Sequence, residues 1–200
     1  MRCQVLVAGL ITWVLAAGCT SSRALRSAAH GLESESADVR REATLELGHS
    51  RVADPELRAR LTRRLSVLAQ SDDDPLVRSS ALTALATQQP QAAVELAKRL
   101  RTDRSPMVRR DAVKVLAEHG DASAVDVLIE IARNDPDART RRTAVLALGK
   151  YDEPRVIRAL IECLSDDSRT VAHAARDSLT RISGGLDLGT NAEDWKKWLQ

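Results

Sequence analysis

The amino-acid sequence predicts an all-α solenoid of about five helical hairpins, closed by a short C-terminal capping helix. Three observations carry that expectation. A five-residue motif recurs as Val39-Arg40-Arg41-Glu42-Ala43, Val77-Arg78-Ser79-Ser80-Ala81, Val108-Arg109-Arg110-Asp111-Ala112, Thr140-Arg141-Arg142-Thr143-Ala144 and Val171-Ala172-His173-Ala174-Ala175. Its starts lie 38, 31, 32 and 31 positions apart, the signature of a repeat array. A second apolar pattern precedes each motif from the second onward: Leu61, Leu65, Leu68; Val94, Leu96, Leu100; Val125, Leu128, Ile131; Val156, Leu160, Cys163, Leu164. The composition is 44% apolar but only 2% aromatic, without phenylalanine, which suits close helix packing better than aromatic-rich strands.

Helix geometry explains the motif. Its first residue, the Ala four positions on and the Leu four beyond that (Leu47, Leu85, Leu116, Leu148, Leu179) fall on one stripe. A small residue at the middle of the stripe lets the neighbouring helix approach closely, as stacking requires at every step.

In chain order, Arg2 precedes a 13-residue apolar stretch from Val5 to Ala17, the pattern of a secretory signal peptide and too short to span a bilayer. The small residues Ala16, Ala17 and Gly18 before Cys19 resemble the lipobox of bacterial lipoproteins, with Leu15 one place earlier than such boxes usually carry it. That resemblance implies cleavage after residue 18 and a diacylglycerol plus an acyl chain on Cys19. Plain secretion is the alternative, since Ala16 and Gly18 also satisfy a small-x-small cleavage rule. Thr20 follows, where Asp would imply retention in the inner membrane, so the expected location is the outer membrane facing the periplasm.

Residues 19–21 form a short tether. The first hairpin spans Ser22 to His49, with Leu25, Ala28, Ala29 and Leu32 on its first helix. The others follow at about 54–88, 91–119, 122–150 and 153–183, giving a solenoid over 22–183. Gly48, Gly120 and Gly149 close second helices, while Asp54-Pro55, Asp121 and Asp152-Glu153-Pro154 open first ones. The turns inside hairpins, Asp72-Asp73-Asp74-Pro75, Asp103-Arg104-Ser105-Pro106, Asn134-Asp135-Pro136-Asp137 and Asp166-Asp167-Ser168, carry N-cap signals. Residues 184–200 hold a glycine-rich loop and a helix placing Trp195, Trp198 and Leu199 on one face. This helix is expected to cap the last hairpin; docking a partner is the alternative.

The Asp-x-x-Val-Arg-x-x-Ala pattern and Gly149-Lys150-Tyr151-Asp152-Glu153-Pro154-Arg155-Val156 resemble HEAT repeats of the short bacterial type also found in phycobilin lyases. The likeness covers roughly Ser22 to Ile182 and implies a right-handed superhelix with the second helices on its concave side. The arginines after the stripe's first residue, Arg40, Arg78, Arg109 and Arg141, then resemble a structural ladder. Their candidate partners are the aspartates just upstream, Asp38, Asp74, Asp103 and Asp137, with Ala172 ending the series. A ligand-binding arginine row is the other reading.

The candidate partner face lies two and six positions beyond each motif start, where side chains point furthest from the core stripe. It comprises Arg41, Arg110, Lys114, Arg142, Leu146 and His173, flanked by Leu45, Ser79, Thr83 and Asp177; a solvated surface whose charge is cancelled by the neighbouring Glu42 and Asp111 is the alternative. Catalysis has little to stand on. The four histidines are scattered, no metal site is expected, and GxSxG, GxxxxGK[ST] and GxGxxG are all lacking. With Cys3 removed and Cys19 modified, Cys163 is left as a packed core thiol.

A net charge of +2, and only three aromatic residues beyond the leader, argue against nucleic-acid binding. The expected function is thus a non-enzymatic, monomeric, lipid-anchored adaptor that binds an envelope protein or peptide and needs no cofactor. A phycobilin-lyase-like enzyme or chaperone is the alternative from the repeat type alone, and the signal peptide speaks against its cytoplasmic setting.

Overall fold

A computed structural model describes residues 22–49 and 51–200. The leader and Cys19, on which the lipid anchor rests, lie outside the described residues.

The described chain forms eleven helices. Five hairpins pair α1 (Ser22–Gly31) with α2 (Ala37–His49), α3 (Pro55–Ser71) with α4 (Pro75–Gln88), α5 (Pro90–Leu100) with α6 (Pro106–His119), α7 (Ala122–Asn134) with α8 (Ala138–Leu148), and α9 (Pro154–Cys163) with α10 (Arg169–Ile182). A last helix, α11 (Ala192–Leu199), follows the glycine-rich loop. The protein is an all-α solenoid of about five hairpins with a C-terminal helix.

Helices α3 to α9 and α11 start where the sequence supplies a capping side chain or a proline. Asp54 Oδ1 accepts from Glu56 N and Leu57 N, Asp74 from Leu76 N and Asp121 from Ser123 N, while prolines occupy the first turn of α3, α4, α5, α6 and α9. The longer first interval of the repeat is taken up by α3, whose 17 residues exceed every other first helix.

Second helices α2, α4, α6, α8 and α10 stack on one another in one layer, and first helices form the other. The second helices contact one another more extensively than the first helices do. The stripe alanines explain why: Ala81, Ala112, Ala144 and Ala175 are fully buried, as are Leu47, Leu85, Leu116, Leu148 and Leu179. Val77, Val108, Thr140 and Val171 are equally buried, whereas Val39 is 44% exposed because no described second helix precedes α2. Gly149 marks a close approach between second helices, since a Cβ there would stand 2.7 Å from Ser178 Oγ of α10. Buried Gln88 ties α4 to the end of α2, donating to Leu47 O at 2.7 Å and accepting from Val52 N at 2.9 Å.

The tail departs in one respect from the expected single apolar face. Trp195 is fully buried and donates its indole N–H to Gly189 O at 2.8 Å, but Trp198, edge-on to it at 5.8 Å, stays 38% exposed. α11 lies against α9, the last of the first helices, while the loop before it meets α10 through Asp187, 3.8 Å from Arg176. Gly184, Gly185 and Gly189, all at positive φ, make the turns that bring it there.

Candidate functional site

Two features recur in every hairpin: an arginine–aspartate ladder along the turns, and the solvent face of the second helices.

The ladder has four rungs of one design. Arg40 forks onto Asp72 (2.7 and 2.9 Å), Arg78 onto Asp103 (2.9 and 2.8 Å), Arg109 onto Asp135 (2.7 and 2.8 Å) and Arg141 onto Asp166 (2.8 and 2.9 Å). In each, the remaining guanidinium nitrogen donates to a carbonyl of the arginine's own turn: Ser34 and Glu35, Asp72, Asp103, and Asp135 respectively. Each aspartate also accepts the backbone N–H two residues on, from Asp74, Ser105, Asp137 and Ser168. One side chain thus clamps two successive turns through the bidentate geometry that distinguishes Arg from Lys.

Burial pushes the carboxyls of Asp72 and Asp103 up, but the arginine hydrogen bonds and the backbone N–H prevail and hold both below the ordinary range. The Arg141 hydrogen bond leads in lowering Asp166.

This geometry corrects three of the candidate partners. Asp74 and Asp137 do not receive the ladder arginines: Asp74 caps α4, and Asp137 caps α8 by accepting from Thr140 N and Oγ1, both at 2.8 Å. Asp38 is exposed and lies 4.0 Å from Arg41. The rungs use the aspartate five residues before the stripe rather than three. At that place the first turn has Ser34, and at the arginine place the last helix has Ala172, so no rung is left half-made at either end of the described array.

Along the second-helix face, the candidate cations are partly spoken for. Lys114 pairs with Asp111 at 2.6 Å and Arg110 with Asp137 at 3.7 Å, while Ser79 Oγ also donates to Asp111. Arg142 and His173 are exposed and make no ion pair with any described residue. Leu146 is only partly exposed and packs on the core, whereas Leu45 is 48% exposed.

Between α4 and α6 this face opens into a groove of about 520 Å3. Ala86, Pro90 and Val115 supply apolar surface there, Thr83 and Thr87 hydroxyls, Asp111, Lys114 and Glu118 charge, and His119 an imidazole. Of these, the sequence had singled out Lys114, the flanking Thr83 and Asp111 as a charge-cancelling neighbour; the others become legible once two helices are placed side by side. A cleft of about 260 Å3 beside the Arg109–Asp135 rung is lined by the ladder groups Asp103, Arg109 and Asp135 and by the separately paired Arg101 and Glu130.

Among the described residues no group of three or more His, Cys, Asp or Glu is arranged to hold a metal ion, and no helix is long and apolar enough to cross a membrane. Cys163 is buried against Ala132 O, and desolvation pushes its thiol up to about 11.

Residues 93–180 match the family model for HEAT repeats. The fold is that of HEAT and armadillo repeats. Among solved structures, the chain is similar to Escherichia coli YibA (TM-score 0.69, 21% identity, covering 82% of this chain and 63% of that one). It is also similar to an engineered protein (TM-score 0.56, 24% identity, 89% and 86% covered) and to a designed armadillo repeat protein (TM-score 0.55, 20% identity, 88% and 92% covered). At these identities the likeness bears on the fold alone, and the chain spans just under two thirds of YibA. No curated protein matches the sequence. The scaffold is of a repeat class that is typically non-catalytic.

Proposed function

We propose that this protein is a non-enzymatic scaffold, held in the bacterial envelope by a lipid on Cys19, which binds an extended segment of an envelope protein along its second-helix face. The groove between α4 and α6 carries this reading. Its hydroxyls, carboxylates and Lys114 alternate with Ala86 and Val115, a surface suited to peptide amides and small apolar side chains. Arg142 continues the face with a charge that no described residue neutralises, favouring a segment with carboxylates, and His173 adds an exposed imidazole. The blunt ends of the ladder support a monomer, because a second copy stacked end to end would find neither an arginine on α10 nor an aspartate at Ser34. The lipobox supports anchoring, most consistently in the outer membrane facing the periplasm.

A photo-crosslinking residue at Lys114 or Arg142, with Arg158 on the opposite layer as control, tests the binding face in intact cells. A discrete adduct from the first two positions and none from the third is expected. Adducts indistinguishable from those of an unrelated lipoprotein would sink the proposal.

A further inference from the structure

We infer that the outer face of α1 and α3 docks on anionic lipid headgroups, laying the first two hairpins against the membrane. This rests on the proposed anchor at Cys19. The observation is an uneven charge distribution over the first-helix layer. α1 and α3 together carry six arginines against one glutamate, whereas α5, α7 and α9 together carry five cations against four anions. In the later repeats the exposed charges of this layer pair across helices, as Arg101–Glu130, Arg133–Glu162 and Arg155–Asp126.

In the first two, Arg26, Arg60 and Arg63 are exposed and make no ion pair with any described residue. Arg64 alone on this face meets an acid, Glu33, at 3.0 Å. Arg26, His30 and Arg60, with Glu33 as the one acid, line a groove of about 350 Å3 between α1 and α3, and Arg60, Arg63 and Arg64 continue past it to Val67, which is 49% exposed. Arginines beside an exposed aliphatic residue suit a headgroup layer, where the guanidinium meets phosphate and the apolar side chain the acyl boundary.

Position selects lipid over an acidic protein. Only two residues separate Cys19 from Ser22, so an acyl anchor holds the start of α1 within about 11 Å of the headgroups. Arg26 lies about 6 Å further along the helix. The basic bias therefore sits on the repeats that the anchor brings to the bilayer, within or near a Debye length of its surface charge.

The test uses the full chain isolated from bacterial membranes, with an environment-sensitive fluorophore on Ala59→Cys, exposed on α3 beside Arg60 and Arg63. It is reconstituted into phosphatidylcholine vesicles with or without about 30% phosphatidylglycerol. The expected result is a blue-shifted, brighter label only with phosphatidylglycerol, reversed in about 1 M salt, where screening acts within about 3 Å. Arg60→Gln with Arg63→Gln should lower the docking equilibrium about thirtyfold. Equal spectra in both vesicles, or a response to soluble polyglutamate with none to phosphatidylglycerol, would overturn the inference. Intact mass reads the anchor separately: lipid on Cys19 without a spectral response overturns the docking alone, and a chain without that lipid overturns both.

Discussion

Removing the Arg109 guanidinium would leave Asp135 as a carboxylate whose side chain is 3% exposed, with a single backbone N–H to satisfy it. Both forked bonds disappear, as does the donor to Asp103 O. Breaking a buried pair from one side costs about 3–5 kcal/mol, because the surviving charge is stranded. The Arg109 side chain retains 9% exposure, so Arg109→Met should lie near the low end, about 3 kcal/mol, or a melting shift of about 6–12 °C for a chain of this size. Asp135→Asn keeps an acceptor for Asp137 N and one for the guanidinium, and should cost less. The double variant strands no carboxylate and should be more stable than the sum of the singles implies, with a coupling energy of about 2 kcal/mol. Urea unfolding followed by circular dichroism at neutral pH measures all four corners of the cycle. A cost below about 1 kcal/mol for Arg109→Met, or strict additivity, would refute the clamp.

Four further outcomes follow from the same geometry. Asp72, Asp103 and Asp166 are held below the ordinary carboxyl value of 3.8, so their stabilisation is complete above that value and is lost as pH falls through their lower folded values. Acid unfolding should therefore steepen only below about pH 4, and a stability flat in pH through this range would contradict the rung assignment. Trp195→Ala should release α11 at a local cost of about 3–5 kcal/mol, read as rapid amide exchange confined to residues 184–200; protection retained in that segment would count against its packing on α9. Gly149→Ala should destabilise the α8–α10 contact by about 1–3 kcal/mol in thermal melts, whereas a neutral effect would show that Ser178 yields freely. Cys163, with its thiol raised to about 11, should resist a disulfide reagent at pH 8 until the chain is unfolded in urea.

The fold was legible because its determinants repeat. A stripe of Val (Thr140 in the fourth copy), Ala and Leu at helical spacing, present five times, names core residues of every second helix, the exposed Val39 apart, and capping aspartates and prolines mark most of the later helix starts. The ladder was legible on one side only. The arginines stand at one fixed place in the motif, but each turn offers several acids, and nearness to the arginine favoured Asp74 and Asp137. Aligning the turns separates two roles: five residues before the stripe come Asp72, Asp103, Asp135 and Asp166, and three before it Asp74, Ser105, Asp137 and Ser168. The first place is all carboxylate, as a bidentate partner must be, while the second mixes Ser with Asp, as a cap allows. Asp103 was found because its turn has a serine at the capping place.

The second-helix face was less legible because its charges are set by neighbours. Lys114 and Arg110 of α6 lose availability to Asp111 on their own helix and to Asp137, the cap of α8, and the groove between α4 and α6 exists only once the two helices are set at their packed distance. The exposure of Trp198 was hidden for a similar reason, since which side of α11 meets α9 depends on the positive-φ glycines before it.

The central claim, an anchored scaffold of the bacterial envelope, is tested most directly by the intact mass and membrane partitioning of the native protein beside Cys19→Ala. The account expects a chain beginning at Cys19 that carries diacylglycerol and an acyl chain, remains with the membrane fraction, and loses that lipid in the variant. An unmodified chain beginning at Met1 and recovered from the cytosol would contradict it.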